Sequence, residues 1–182
     1  MRISIAADEL TGVAGLLAAE LERRGHQPLL HGALARAERC DWAWASEAVA
    51  RDVAEGRAQQ GIVCCWTGTG ASIAANKVTG VRAALCFDAV SAAGARRWNE
   101  ANVLALSLRA ISAAVLAEIL DAWFDANPSE ELDDRANIEH VAAIARAGAR
   151  GAQPQLSGQA WPPGGRVLQA RVRRHRDLPG GW

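Results

Sequence analysis

The stretch Gly61-Ile-Val-Cys-Cys-Trp-Thr-Gly-Thr-Gly-Ala-Ser-Ile-Ala-Ala-Asn-Lys77 carries the densest chemistry in this 182-residue chain. Residues 61–65 form a compact apolar run, the pattern of a strand buried on both faces, and it delivers the Cys65 thiol to a sheet edge. A Gly-rich turn follows, with Gly68, Thr69, Gly70 and Ala71, and a helix is predicted from near Ser72. Backbone N–H groups of such a turn, with the positive end of the helix dipole, cradle negative charge. A thiolate base beside an anion cradle is what proton abstraction next to a carbonyl requires, because the resulting enediolate must be stabilised. Other uses of the loop fail on spacing. A P-loop needs Lys directly after its last Gly, and the dinucleotide fingerprint breaks at Ile73, where its third Gly should stand. A Cys-based phosphatase would need an Arg near Ala71. On these residues alone, Cys65 as a small buried apolar side chain at a strand end explains the pattern equally well.

The elements that must position this turn are legible as an alternation. Residues 2–6 read as a first strand, and Val13, Leu16, Leu17 and Leu21 recur at helical spacing before Gly25. Residues 28–31 read as a short second strand. A helix is predicted over 42–55, with Trp42, Ala45, Val49 and Val53 on one face. Apolar runs at 81–86 and 103–108 repeat the buried-strand pattern, with helices over 89–98 and 112–125. Such alternation predicts an α/β fold, a parallel sheet covered by helices on both sides. Ligands then bind beyond the carboxyl ends of the strands, on the loops after Ala6, Cys65, Cys86 and Leu108. A last helix is expected over about 133–150, with Ile138, Val141 and Ile144 on a side suited to docking on a second subunit. The domain is expected to span 1–150, followed over 151–182 by a disordered basic tail with Arg171, Arg173, Arg174 and Arg176.

Twenty basic and twenty acidic residues balance, which gives no reason to expect a nucleic-acid or membrane partner. The four cysteines show no C-x-x-C spacing, so neither a metal site nor a disulfide framework is expected. The chain opens directly on strand-like residues without the three-part pattern of a signal peptide, which sets the expectation of a cytoplasmic protein.

From Cys65 to Lys77 the sequence resembles the ribose-5-phosphate isomerase B and galactose-6-phosphate isomerase group. Its motif C-G-T-G-x-G-x-S-I-A-A-N-K is matched here with Trp66 in place of the first Gly. The segments from Gly80 to Cys86 and from Asn99 to Leu106 also fit its pattern, and the resemblance runs from Met1 to about Ala145. It implies a Rossmann-like three-layer fold with a five-stranded parallel sheet and a C-terminal dimer-docking helix. It also implies a homodimer with shared active sites, with a dimer of dimers as a further arrangement, and no cofactor. By the resemblance Cys65 is the base and Thr67 assists it. The turn of Gly68, Thr69, Gly70, Ala71 and Ser72 holds the enediolate. Asp8 and Asn99 contact the sugar, while Arg109 and Arg135 lie on the phosphate side.

Three departures mark this chain. Glu9 stands where the group has a phosphate-side His in S-D-H-A-G, and Phe87 replaces the His of C-H-D. Trp98 replaces the His of E-H-N-D, to which the group assigns opening of the sugar ring. Indole donates one hydrogen bond and accepts none, so it cannot shuttle a proton to the ring oxygen. Proton transfer at Cys65 needs no such group. An open-chain substrate is therefore expected, for instance a tetrose phosphate. Glu9 and Glu139, the latter standing where a second helix arginine is usual, would oppose a phosphate dianion. Trp42, Trp44, Trp66 and Trp98 are candidates to line one pocket, with core packing as the alternative. An epimerase on the same site, or a sugar-phosphate binder without catalysis, are the other functions this pattern allows.

Overall fold

The computed structural model describes Met1–Gly151; the tail expected over 151–182 lies, beyond its first residue, outside the described residues. Five strands, Arg2–Ala7 (β1), Gln27–Gly32 (β2), Gln60–Cys65 (β3), Ala83–Leu85 (β4) and Val103–Ser107 (β5), form one sheet in the order β2-β1-β3-β5-β4. Every pairing is parallel. A parallel strand can be reached only by a crossover, so the connections carry helices. These are Leu17–Arg23 (α1, entered through a 3-10 turn at Ala14–Leu16), Trp42–Ala54 (α2), Thr69–Ala75 (α3), Ala89–Asn99 (α4), Ala113–Asp125 (α5) and Leu132–Gly151 (α6).

The two faces of the sheet are packed differently. One core holds large side chains, among them Ile3, Ile5, Leu104, Leu106, Leu120 and Trp123. The Trp123 indole, fully buried, donates to Gln60 Oε1 at 2.6 Å. The other core, under α2 and α3, is built of Ala6, Ala45, Val63, Ala71, Ala75 and similar small residues, with Cys65 among them. Small residues let these helices approach the sheet closely: a Cβ on Gly61 would stand 2.5 Å from Val49 Cγ1. Consecutive side chains of a strand alternate in face, and Cys64 and Cys65 fall in opposite cores as the sequence predicts.

A polar knot ties β1, β2 and α2 together. The buried Asp52 carboxylate accepts from Ser4 Oγ at 2.8 Å and from Arg57 Nε at 2.6 Å, with His31 Nε2 at 2.7 Å. Burial works to raise its pKa, but the hydrogen bonds from Arg57, His31 and Ser4 prevail and hold the carboxyl below its ordinary value.

Three local expectations change. α3 starts at Thr69, three residues before Ser72, because left-handed Gly68 turns the chain immediately into a helix. β4 is an edge strand and only half-buried, having no strand beyond it among the described residues. Trp42, expected on the core face of α2, is 46% exposed, since the first residue of that helix overhangs the sheet edge.

Candidate active site

Cys65 ends β3 and is 5% exposed. Its carbonyl accepts from Gly68 N at 3.1 Å and from Leu108 N at 3.0 Å. The Trp66 carbonyl accepts from Arg109 N at 3.1 Å and from Ser107 Oγ at 2.9 Å, and Asp8 N donates to the Cys64 carbonyl at 3.3 Å. Left-handed Gly12 presses on the same junction, for a Cβ there would lie 2.3 Å from the Leu108 oxygen. The loops after β1, β3 and β5 are thus stitched around one thiol. Asp8, Glu9, Cys65, Trp66, Thr67, the turn through Ser72, and Arg109 all share the carboxyl edge of the sheet.

Within the turn, Gly68 is dictated by geometry. Its φ is +77°, and a Cβ would stand 2.5 Å from Leu85 Cδ1 and 2.9 Å from the Leu106 carbonyl carbon. The first-turn amides of Thr69, Gly70 and Ala71 have no acceptor among the described residues, as befits a helix start. The Ser72 amide is committed to the Gly68 carbonyl at 3.0 Å, and its hydroxyl donates to the Ala83 carbonyl at 3.4 Å. Ser72 is therefore turned toward β4, and the open donors are the three before it. Thr67 Oγ1 and Thr69 Oγ1, both exposed, lie 2.7 Å apart. Trp66 keeps an ordinary backbone, since Ala37 and Glu100 alone have left-handed φ among the described non-glycine residues. A side chain therefore fits where the resembling motif has glycine.

The cysteines differ in environment. Burial pushes the Cys64 thiol far up, aided by its neighbours Cys65 and Asp8. Burial also raises Cys86, to about 11. Both are locked as thiols in the core, whereas Cys65 borders the open turn, and Cys40 is exposed elsewhere.

Trp98, Asn99 and Arg135 are not brought to this edge. α4 starts at the carboxyl end of β4 and runs back, so Trp98 and Asn99 close it near the amino ends of β4 and β5. Asn102 N, just before β5, bonds the Arg82 carbonyl just before β4, and Arg82 Nε reaches the Asn99 and Glu100 carbonyls. A five-residue strand spans roughly 13 Å from one edge to the other. Arg135, in the first turn of α6, lines a cleft of about 580 Å³ with Glu100, Glu130 and Glu139 at this opposite edge. The four tryptophans do not share a pocket. The Trp42 ring covers Gly70, where a Cβ would meet Cε3 at 3.0 Å; Trp44 is stacked under Arg39; Trp98 packs on Gly94. Trp98 and α6 residues Ile138, Val141 and Ile144 line a groove of about 470 Å³. Val141 and Ile144 are 49% and 59% exposed.

The sequence reading passed over Asn76, which the structure bonds to β4. The signal was an Asn closing a helix whose register faces a short edge strand. Among the described residues no cluster of His, Cys, Asp and Glu could hold a metal ion, and no helix is long and apolar enough to cross a membrane.

Comparison with known proteins finds relatives of the same fold. A family model described as ribose/galactose isomerase matches residues 3–141. A D-erythrulose-4-phosphate isomerase from Pectobacterium atrosepticum is 47% identical over 43% of this chain, and that match spans 51% of the relative's length. Ribose-5-phosphate isomerase B of Escherichia coli is 39% identical over 60% of this chain and 73% of its own. The solved structure of Clostridium thermocellum ribose-5-phosphate isomerase B superposes with a TM-score of 0.73 at 33% identity, covering 81% of this chain and 99% of that one.

Proposed function

The chain belongs to the ribose/galactose isomerase family, and from that premise we propose that it is an aldose–ketose isomerase for a short open-chain sugar phosphate, with Cys65 as the base. The observation that carries this reading is the placement of Cys65 at the end of β3 beside the open amides of Thr69, Gly70 and Ala71. The Cys65 thiolate takes the proton from the carbon next to the carbonyl. The electron pair moves onto the carbonyl oxygen, forming a cis-enediolate held by the turn amides. The thiol then returns the proton to the neighbouring carbon, and the hydroxyl proton passes between the two oxygens with Thr67 assisting.

Asp8 and Asn99 bind sugar hydroxyls in this reading, Glu9, Trp66 and Trp98 shape the pocket, and Arg109 and Arg135 hold the phosphate. Because Trp98, Asn99 and Arg135 lie at the far edge of their own chain, they belong to the site of a second copy. A homodimer docked through the apolar stripe of α6 would complete two shared sites. A cytoplasmic location suits four free thiols. A tetrose phosphate is favoured because indole at Trp98 cannot open a sugar ring, and a relative named for erythrulose 4-phosphate lends it support.

Incubation of the chain with D-erythrulose 4-phosphate in heavy water tests this reading. Exchange at the carbon next to the carbonyl, with an aldose product, is expected, and Cys65→Ala should abolish both. Equal activity on ribose 5-phosphate would overturn the open-chain preference. Exchange with only an epimer formed would make the enzyme an epimerase, and no exchange at all would leave a binder. One observation favours a second substrate reading, an unphosphorylated sugar: the Arg135 cleft also carries Glu100, Glu130 and Glu139. Free tetroses belong in the same assay.

A further inference from the structure

The amide turn is only as well placed as α3, and α3 is a seven-residue helix. A helix that short does not hold itself in water, so tertiary contacts must fix it. Its first turn is capped by Gly68 and covered by Trp42. At its last turn the Asn76 side chain makes a two-way bond with one residue of the edge strand. Asn76 Nδ2 donates to the Ala83 carbonyl at 2.8 Å, and Asn76 Oδ1 accepts from Ala83 N at 2.9 Å. The same Nδ2 donates to the Ser72 carbonyl at 3.0 Å, and Ser72 Oγ joins it on the Ala83 carbonyl at 3.4 Å.

Ala83 is the first residue of β4, which among the described residues pairs only with β5. Its flanks face inward, with Val103 N on the Arg82 carbonyl and Cys86 N on the Ala105 carbonyl. Backbone groups alternate in direction along a strand, so the Ala83 N–H and C=O point to the open edge. There the carboxamide of Asn76 supplies both bonds that a sixth strand would have made. Asn carries a donor and an acceptor in one planar carboxamide at every pH. Gln would be too long for this spacing, and Asp would lack the donor.

We propose that Asn76 is a positioning residue of the isomerase site: by pairing with Ala83 as a strand would, it fixes α3 against β4 and thereby sets where the Thr69, Gly70 and Ala71 amides stand relative to Cys65. The inference rests on the isomerase reading for its catalytic consequence and on hydrogen bonds alone for the clamp. The Asn76 side chain is committed to Ala83 and Ser72, and its effect reaches the reaction through α3. Loss of the clamp therefore weakens stabilisation of the enediolate more than binding of the ground-state sugar, which lowers kcat with little change in KM.

The test uses the full chain with Asn76→Ala and Asn76→Asp, read by amide hydrogen exchange and by kinetics on D-erythrulose 4-phosphate. In Asn76→Ala, exchange at Ser72 through Asn76's own position should quicken at least about tenfold while β1 and β5 amides keep parental rates, since opening becomes local. kcat should fall about tenfold or more, with KM within about threefold. Asn76→Asp should exchange fast at pH 8 and recover protection as pH falls through about 4, where the carboxyl protonates and again donates to the Ala83 carbonyl. An effect due only to general destabilisation would quicken exchange in β1 and β5 as well and show no acid rescue. Parental exchange in Asn76→Ala overturns the proposal, as does faster exchange with unchanged kcat. A parent chain inactive on every sugar would overturn the isomerase reading instead, and the clamp would then be accepted or rejected on exchange alone.

Discussion

The two edges of the sheet present opposite designs. At the carboxyl edge, loops from three neighbouring strands are bonded to one another through the carbonyls of Cys64, Cys65 and Trp66, and two left-handed glycines pack against backbone with no room for a side chain. At the amino edge, Trp98, Asn99 and Arg135 sit around open clefts, with Trp98 52% exposed and Arg135 among carboxylates. A buried thiol next to fixed amides is a preorganised centre, costly to rearrange. Exposed aromatic and aliphatic side chains along a helix are a surface built to be covered. Three of the fourteen candidate residues, Trp98, Asn99 and Arg135, thus sit away from Cys65 in their own chain, which is the division the proposed shared site has to bridge.

The largest expected effect falls on the carboxyl edge. Cys65→Ala should lower kcat about 10²–10⁴-fold, the range for removing a proton-transferring group, while thermal unfolding stays near that of the parent. Cys40→Ser, at an exposed thiol outside the turn, serves as the control, and equal losses in both would remove Cys65 from the mechanism.

The next experiment asks whether the two edges meet across a dimer. Arg135→Ala and Cys65→Ala chains should each be nearly inactive. Mixed in equal amounts with subunit exchange, they should regain roughly a quarter of parental activity, because half the dimers are hybrids and each hybrid has one intact site. Failure to regain any activity would put every working residue within one chain and end the comparison as drawn.

A glycine at each edge separates close packing from backbone strain. Gly68→Ala combines φ +77° with a Cβ 2.5 Å from Leu85 and should cost about 3 kcal/mol or more in urea unfolding. Gly80→Ala, at φ +89° in open space before β4, should cost about 1 kcal/mol. Equal costs would mean that the carboxyl edge is no more tightly built than the other.

The smallest effect concerns the scaffold between the edges. The Asp52 carboxyl is held below its ordinary value by Arg57, His31 and Ser4, against the opposing pull of burial. A depressed folded-state pKa contributes stability that is complete above the unfolded value of about 4 and is lost as pH falls through the folded value. Stability of the parent should therefore decline with acid in that window more steeply than that of Asp52→Asn. Identical slopes would deny Asp52 its part.

Much of the fold and of the candidate site is legible in the amino-acid sequence. The alternating apolar runs announced a parallel sheet, and the run ending on Cys65 before Gly68 and Gly70 announced an anion turn at a strand end, because period and turn chemistry are local properties. The opposite faces of Cys64 and Cys65 followed from strand geometry alone. Less was readable where neighbours decide. β4 reads like a central strand in sequence, and only the strand order makes it an edge. Trp42 fits an apolar helical stripe, yet α2 begins beyond the sheet and leaves it over Gly70. Ser72 belongs to the turn by motif, but its hydroxyl is committed to Ala83.

The sequence by itself determined the element types, the thiol at the strand end and the family pattern with its missing histidines, since these depend on residue identity and short-range spacing. The tertiary structure alone decided that Asp8, Cys65 and Arg109 share one edge while Trp98, Asn99 and Arg135 take the other, and that Asn76 closes the sheet at Ala83. Those outcomes depend on strand order and on the direction in which each helix returns, and chain positions far apart in sequence carry no local mark of either.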